Sequence, residues 1–70
     1  MPKVPNYKQL HSVLTSLGFK IIRQKGSHVQ YFNGSICITI PKHSNREVSI
    51  GVFLEVLKKL NINKDQFWKI

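Results

Sequence analysis

The side chains best suited to chemistry are gathered in Arg23-Gln24-Lys25-Gly26-Ser27-His28, where an imidazole follows a tight-turn dipeptide inside a field of positive charge. An imidazole, with an ordinary pKa of about 6.5, exchanges a proton close to neutral pH. The free backbone N–H groups of a turn, together with Lys25, can hold a phosphate. Arg23 adds a guanidinium whose fork fits two phosphate oxygens, whereas Lys25 acts as a point charge. A proton carrier beside anion-binding groups points to phosphodiester chemistry on a nucleic acid. His28 can serve as acid or as base. Gly26 reads as the residue that permits a positive φ or a close backbone approach, its N–H being a further phosphate ligand. Ser27 either donates a hydrogen bond to a phosphate oxygen or caps the turn.

A second set of candidates lies in the polar, basic loop Lys42-His43-Ser44-Asn45-Arg46-Glu47. His43 can approach the Gly26-Ser27 turn if the sheet brings those ends together. It is then either a second catalytic histidine or a loop-fixing or substrate-binding group. His11 lies outside both motifs and reads as a helix-surface residue. Tyr31, Phe32 and Trp68 could stack on unpaired bases, but core packing is the favoured reading for all of them. The spacing argues against a metal centre: the three histidines are not at i, i+4, carboxylates are few, and Cys37 is alone. No cofactor is expected.

Eleven Lys and Arg stand against three acids, Glu47, Glu55 and Asp65, for a formal charge of +8. Such a balance predicts a polyanionic ligand or an acidic protein partner. With 41% hydrophobic residues the chain is a folded globule rather than a basic tail, and its 70 residues allow one small domain, 1–70. The lone Cys37 excludes an intrachain disulfide and, in an apolar run, is expected to be buried. The start, Met1-Pro2-Lys3-Val4-Pro5, has no apolar leader, and no apolar run approaches the ~20 residues that span a bilayer. A soluble, cytoplasmic protein without membrane association is expected.

The elements that must position these groups follow from periodicity. Asn6 with Gln9 three residues later reads as a helix start; Leu10, Val13, Leu14 and Leu17 recur at helical spacing, and Gly18 supplies the stop. Phe19-Lys20-Ile21-Ile22 opens a strand-like run, the Gly26-Ser27 turn breaks it, and Val29-Gln30-Tyr31-Phe32 forms a second strand. Asn33-Gly34 predicts a type I′ hairpin that folds Ile36–Ile40 back antiparallel, with Ile36, Ile38 and Ile40 on one face. Pro41 ends that strand. Ser49 is a plausible cap for a second helix with the stripe Val52, Phe53, Val56, Leu57 and Leu60, and Lys64–Trp68 adds a short turn that docks aromatic rings.

The order is α-β-β-β-α: an α+β fold with a three-stranded antiparallel sheet, both helices on one face and the other face open. It is the topology of the double-stranded-RNA-binding domain, which biases the reading toward RNA without assigning a function.

Several elements recur together in a known family. Gly18-Phe19 closes the first helix, Gly26-Ser27-His28 ends the basic run, and Ile40-Pro41-Lys42-His43 holds a Pro-x-His element. Glu47 and Gly51 then lead into Leu57-Lys58-Lys59-Leu60-Asn61-Ile62. In this order and spacing the chain resembles the HicA toxins, small ribonucleases of bacterial and archaeal toxin-antitoxin pairs. One departure is visible: Val52-Phe53 stands where the family usually shows Thr-Leu, which removes a hydroxyl that could cap the second helix.

The resemblance implies an mRNA interferase that cleaves RNA without the ribosome, with His28 essential and a HicB-type antitoxin covering the site and often repressing the shared operon. Metal-independent cleavage would use the substrate's own 2′-OH as nucleophile, with His28 carrying the proton. Arg23, Lys25, Gly26, Ser27, Lys42 and His43 are the expected RNA-binding residues. The competing readings are a non-catalytic RNA-binding module on the same basic face, or a chain that acts chiefly as half of a regulatory complex with an acidic antitoxin.

Overall fold

Asn6 opens the first helix by reciprocal capping. Its side-chain oxygen accepts from the Gln9 N–H at 2.8 Å, and the Gln9 side-chain oxygen accepts from the Asn6 N–H at 3.0 Å. The computed structural model, which describes residues 3–42 and 47–70, carries α1 from Tyr7 to Ser16. Gly18, at φ +89°, ends it, with the Phe19 N–H reaching back to the Leu14 carbonyl at 3.0 Å and the Gly18 N–H to Thr15 at 3.1 Å. Phe19 and Leu14 are both buried, so the turn that stops the helix also starts the core.

Three antiparallel strands follow in the spatial order of the chain: β1 (Lys20–Lys25), β2 (His28–Phe32) and β3 (Cys37–Pro41). On β2 and β3, Val29, Tyr31, Ile38 and Ile40 are buried against Leu10, Val13 and Leu14 of α1 and against Phe53, Val56 and Leu57 of α2 (Ile50–Leu60). The opposite face of the sheet is left open, as the α-β-β-β-α reading requires. Ser49 caps α2, its hydroxyl accepting from the Val52 N–H at 3.2 Å, so the helix starts cleanly without a threonine at position 52. A third helix, α3 (Lys64–Trp68), is capped by Asn63 and Gln66 as α1 is by Asn6 and Gln9. It drives the buried Phe67 edge-on into Phe53, ring centroids 5.0 Å apart.

Two expectations need correction. The Asn33-Gly34 hairpin is not a two-residue type I′ turn, which would pair Phe32 with Ser35; Phe32 pairs instead with Cys37. Gly34 has φ +101° but Asn33 is not in the positive-φ region, and the Asn33 side chain accepts from the N–H groups of Ser35 and Ile36 at 2.9 and 2.7 Å. Those side-chain bonds open the loop to four residues. The register moves by two, so Ile38 and Ile40 still face the core. Cys37, placed by the alternation on the open face, is exposed rather than buried.

A bulge in strand β1 sets the direction of its basic side chains. Ile21 pairs with Tyr31 and Arg23 with Gln30, leaving Ile22 as the extra residue. Without that insertion Arg23 would fall opposite Val29 and share its helix-covered face. With it, Arg23 and Lys25 stand on the open face beside Gln30 and His28. Among the described residues no helix is long and apolar enough to cross a membrane.

Candidate nucleic-acid interface

The strand pair β1–β2 closes at Lys25 and His28, with Gly26-Ser27 between them as a two-residue turn. Gly26 takes φ +58° whereas Ser27 does not enter the positive region, the pattern of a type II′ hairpin turn. A side chain at position 26 would meet nothing within 4 Å, so the glycine is required by its backbone angle and not by a close approach. The Ser27 carbonyl accepts the N–H of Lys42, which pins the turn to the end of β3.

Register and pleat then arrange the open face in rows across the sheet. Lys25, His28 and Pro41 lie side by side at the turn; Arg23, Gln30 and Thr39 form the next row; Lys20, Phe32 and Cys37 the third. Arg23, Lys25, His28, Gln30 and Thr39 line one open concavity. It contains an imidazole, two cations, an amide and a hydroxyl, and no carboxylate to repel a polyanion or pair with the cations. His28 is exposed, so its ring can exchange a proton with a bound molecule or with water.

Not all the sequence candidates meet at this face. His28, Arg23 and Lys25 share the concavity, and Gly26 and Ser27 form the turn at its end. Lys42 is tied to that turn through its backbone, but its ammonium lies over the Tyr7 ring, 5.6 Å from the centroid, and is not among the lining groups. His43 falls outside the described residues. Gln30 and Thr39 join the site without having been singled out by sequence. Alternation along β2 from His28 points to Gln30, while Thr39 follows only from the β2–β3 register.

The aromatic and histidine readings also change. Tyr31 is fully buried, as core packing predicts, whereas Phe32 remains 37% exposed on the open face and is not a core residue. Trp68 is half-buried, edge-on to Phe67 at 5.0 Å with the Lys3 ammonium 4.4 Å above its ring. His11 is no free helix-surface residue: it is half-buried, and its Nδ1 lies 2.7 Å from the Tyr31 hydroxyl, which also shares a 2.6 Å hydrogen bond with the Tyr7 hydroxyl. Burial, and then the hydrogen bond and charge of Tyr7, push the Tyr31 phenol well above its ordinary range.

No curated protein and no solved structure matches the chain. A family model does, that of the HicA toxin of bacterial toxin-antitoxin systems, over residues 7–62. That span runs from the first residue of α1 through the three strands to Ile62, two residues past the end of α2. With the match covering most of the chain, and with α1, the three strands, α2 and Gly26-Ser27-His28 lying inside it, the protein belongs to the HicA toxin family.

Proposed function

We propose that this toxin is a metal-independent, ribosome-independent endoribonuclease that cleaves mRNA in the cytoplasm and is held silent by a HicB-type antitoxin. The observation that carries the reading is the placement of His28: an exposed imidazole at a two-residue turn, with Lys25 beside it and Arg23 one row away, in a concavity without carboxylates. In the proposed reaction the substrate's 2′-oxygen bonds to the adjacent phosphorus as the P–O5′ bond breaks. The 2′-OH loses its proton and the departing 5′-oxygen gains one. His28 carries one of these transfers and water the other, while Lys25 and Arg23 offset the charge that builds on the phosphorane. The products are a 2′,3′-cyclic phosphate, open to later hydrolysis, and a 5′-hydroxyl.

Membership in the family makes an antitoxin the expected partner. With +8 on the toxin, an acidic antitoxin that covers the open face would satisfy the same cations that otherwise meet phosphate. The test is cleavage of a defined single-stranded RNA in EDTA by the wild type and by His28→Ala. Cleavage by the wild type, loss of cleavage in the variant and retained RNA binding support the reading. Equal cleavage by both proteins removes His28 from the chemistry, and RNA binding without cleavage by either leaves a non-catalytic binding module.

A further inference from the structure

The open face is asymmetric in a way that cleavage alone does not require. Its cations in the three rows all stand on one edge strand, Lys20, Arg23 and Lys25 on β1, whereas the β3 positions of those rows are the uncharged Cys37, Thr39 and Pro41, and the Lys59 ammonium of α2 at that edge is engaged by the Cys37 carbonyl at 3.1 Å. Between them, β2 presents His28, Gln30 and Phe32, spaced by the pleat at about 7 Å each. From these placements we propose that a single RNA strand runs along β2, its phosphates against the β1 cations, one base edge read by Gln30 and Thr39, and a neighbouring base stacked on Phe32. The proposal rests on the reading of this face as an RNA-cleaving site.

Phe32 is 37% exposed in the row with Lys20 and Cys37, so part of its ring has no protein group over it. A nucleobase would, since every base offers a π-face to an aromatic side chain. Gln30 is half-buried between Arg23 and Thr39 and lines the same concavity. An amide carries both donors and an acceptor, and together with the Thr39 hydroxyl it can distinguish the edges of different bases. A duplex would present phosphate rims and 2′-hydroxyls and keep its bases stacked, leaving Phe32 and Gln30 unused. The order along β2 also sets direction: chemistry at the turn end, base readout in the next row and stacking in the third.

The experiment measures binding apart from cleavage. In a His28→Ala background, fluorescence anisotropy follows labelled RNA octanucleotides of single base composition, a mixed octanucleotide with one abasic ribose moved through each position, and an A-form duplex. Phe32→Ser is expected to weaken single-strand binding by about 5- to 100-fold. It should also abolish the loss that an abasic ribose causes at one particular position. Gln30→Leu is expected to compress the spread of affinities among the homopolymers. Phe32→Leu, which keeps apolar volume without a π-face, serves if serine disturbs the fold. Affinity unchanged by either Phe32 variant, an abasic profile that does not depend on residue 32, or tighter binding of the duplex overturns the proposal. RNA cleavage by the wild type together with Phe32-independent binding removes the stacking track alone. Phe32-dependent binding without cleavage by the wild type supports the track and removes the nuclease.

Discussion

The Nδ1 atom of His11 and the hydroxyl of Tyr31 stand 2.7 Å apart, joining α1 to the core side of the strand that bears His28 on its other face. The Tyr7 hydroxyl completes the chain at 2.6 Å. A phenol buried in an apolar core needs such partners, because an unpaired polar group there costs more than a made hydrogen bond contributes. Tyr31 thus fills core volume as a phenylalanine would while fixing α1 against β2.

Removing that hydroxyl separates the two roles. Tyr31→Phe keeps the ring and leaves Tyr7 and His11, both half-buried, to recover partners from water. The expected cost is about 1 kcal/mol. In a domain of this size that lowers Tm by about 4–8 °C. Thermal unfolding followed by circular dichroism measures it, and an unchanged Tm would show that the hydroxyl contributes nothing to holding α1.

The same hydroxyl makes the fold sensitive to alkali. Because burial and Tyr7 raise the folded-state pKa of Tyr31 above its unfolded value, the contribution is fully present below the unfolded value of about 10 and is lost as pH climbs beyond it. Absorbance at 295 nm should therefore show Tyr31 ionising only as the structure unfolds. Tyr31→Phe should lose the step that coincides with unfolding. Full ionisation of both tyrosines while the circular dichroism remains native would contradict the buried network.

Gly26 and Gly51 offer a paired test of why the turn holds its shape. Neither would crowd a neighbour if it carried a Cβ, but Gly26 has φ +58° and Gly51 lies inside α2 without a positive φ. Gly26→Ala should cost about 1–2 kcal/mol, the steric cost of a left-handed backbone angle. Gly51→Ala should instead stabilise the helix by about 0.5 kcal/mol. Urea denaturation of the two variants reads the opposite signs. Equal shifts in the same direction would remove the backbone angle as the reason for glycine in the Gly-Ser-His turn.

What is legible in the sequence tracks how local each signal is. The capping of α1 by Asn6 and Gln9, the stop at Gly18 and the cap at Ser49 depend on groups a few residues apart, and all are present. Asn33-Gly34 signals the tightest hairpin turn, yet side-chain bonds from Asn33 to two nearby N–H groups favour a longer loop. His11 is peripheral by sequence because its partner Tyr31 is twenty residues away and only the packing of α1 on the sheet brings them together. At the site, His28 with Lys25 follows from a two-residue turn, but the bulge at Ile22 that moves Arg23 onto the same face has no mark in composition. Thr39 needs the β2–β3 register, which a two-residue turn at Asn33-Gly34 would have shifted by two residues.

Arg23, Lys25 and Lys42 carry the same charge but not the same geometry, so salt dependence should tell them apart. Arg23 and Lys25 line the concavity, whereas the Lys42 ammonium lies over the Tyr7 ring. For single strands, each neutralised phosphate contributes about 0.7 to the slope of log K against log salt. Arg23→Ala and Lys25→Ala, each in the His28→Ala background, should flatten that slope by about this amount. Lys42→Ala should leave it nearly unchanged while loosening the contact with Tyr7. Anisotropy titrations of a labelled single-stranded RNA over a series of salt concentrations make the comparison. A slope change for Lys42→Ala equal to that for Arg23→Ala would mean that the phosphates do not follow β1 and that the strand leaves the sheet by way of the end of β3.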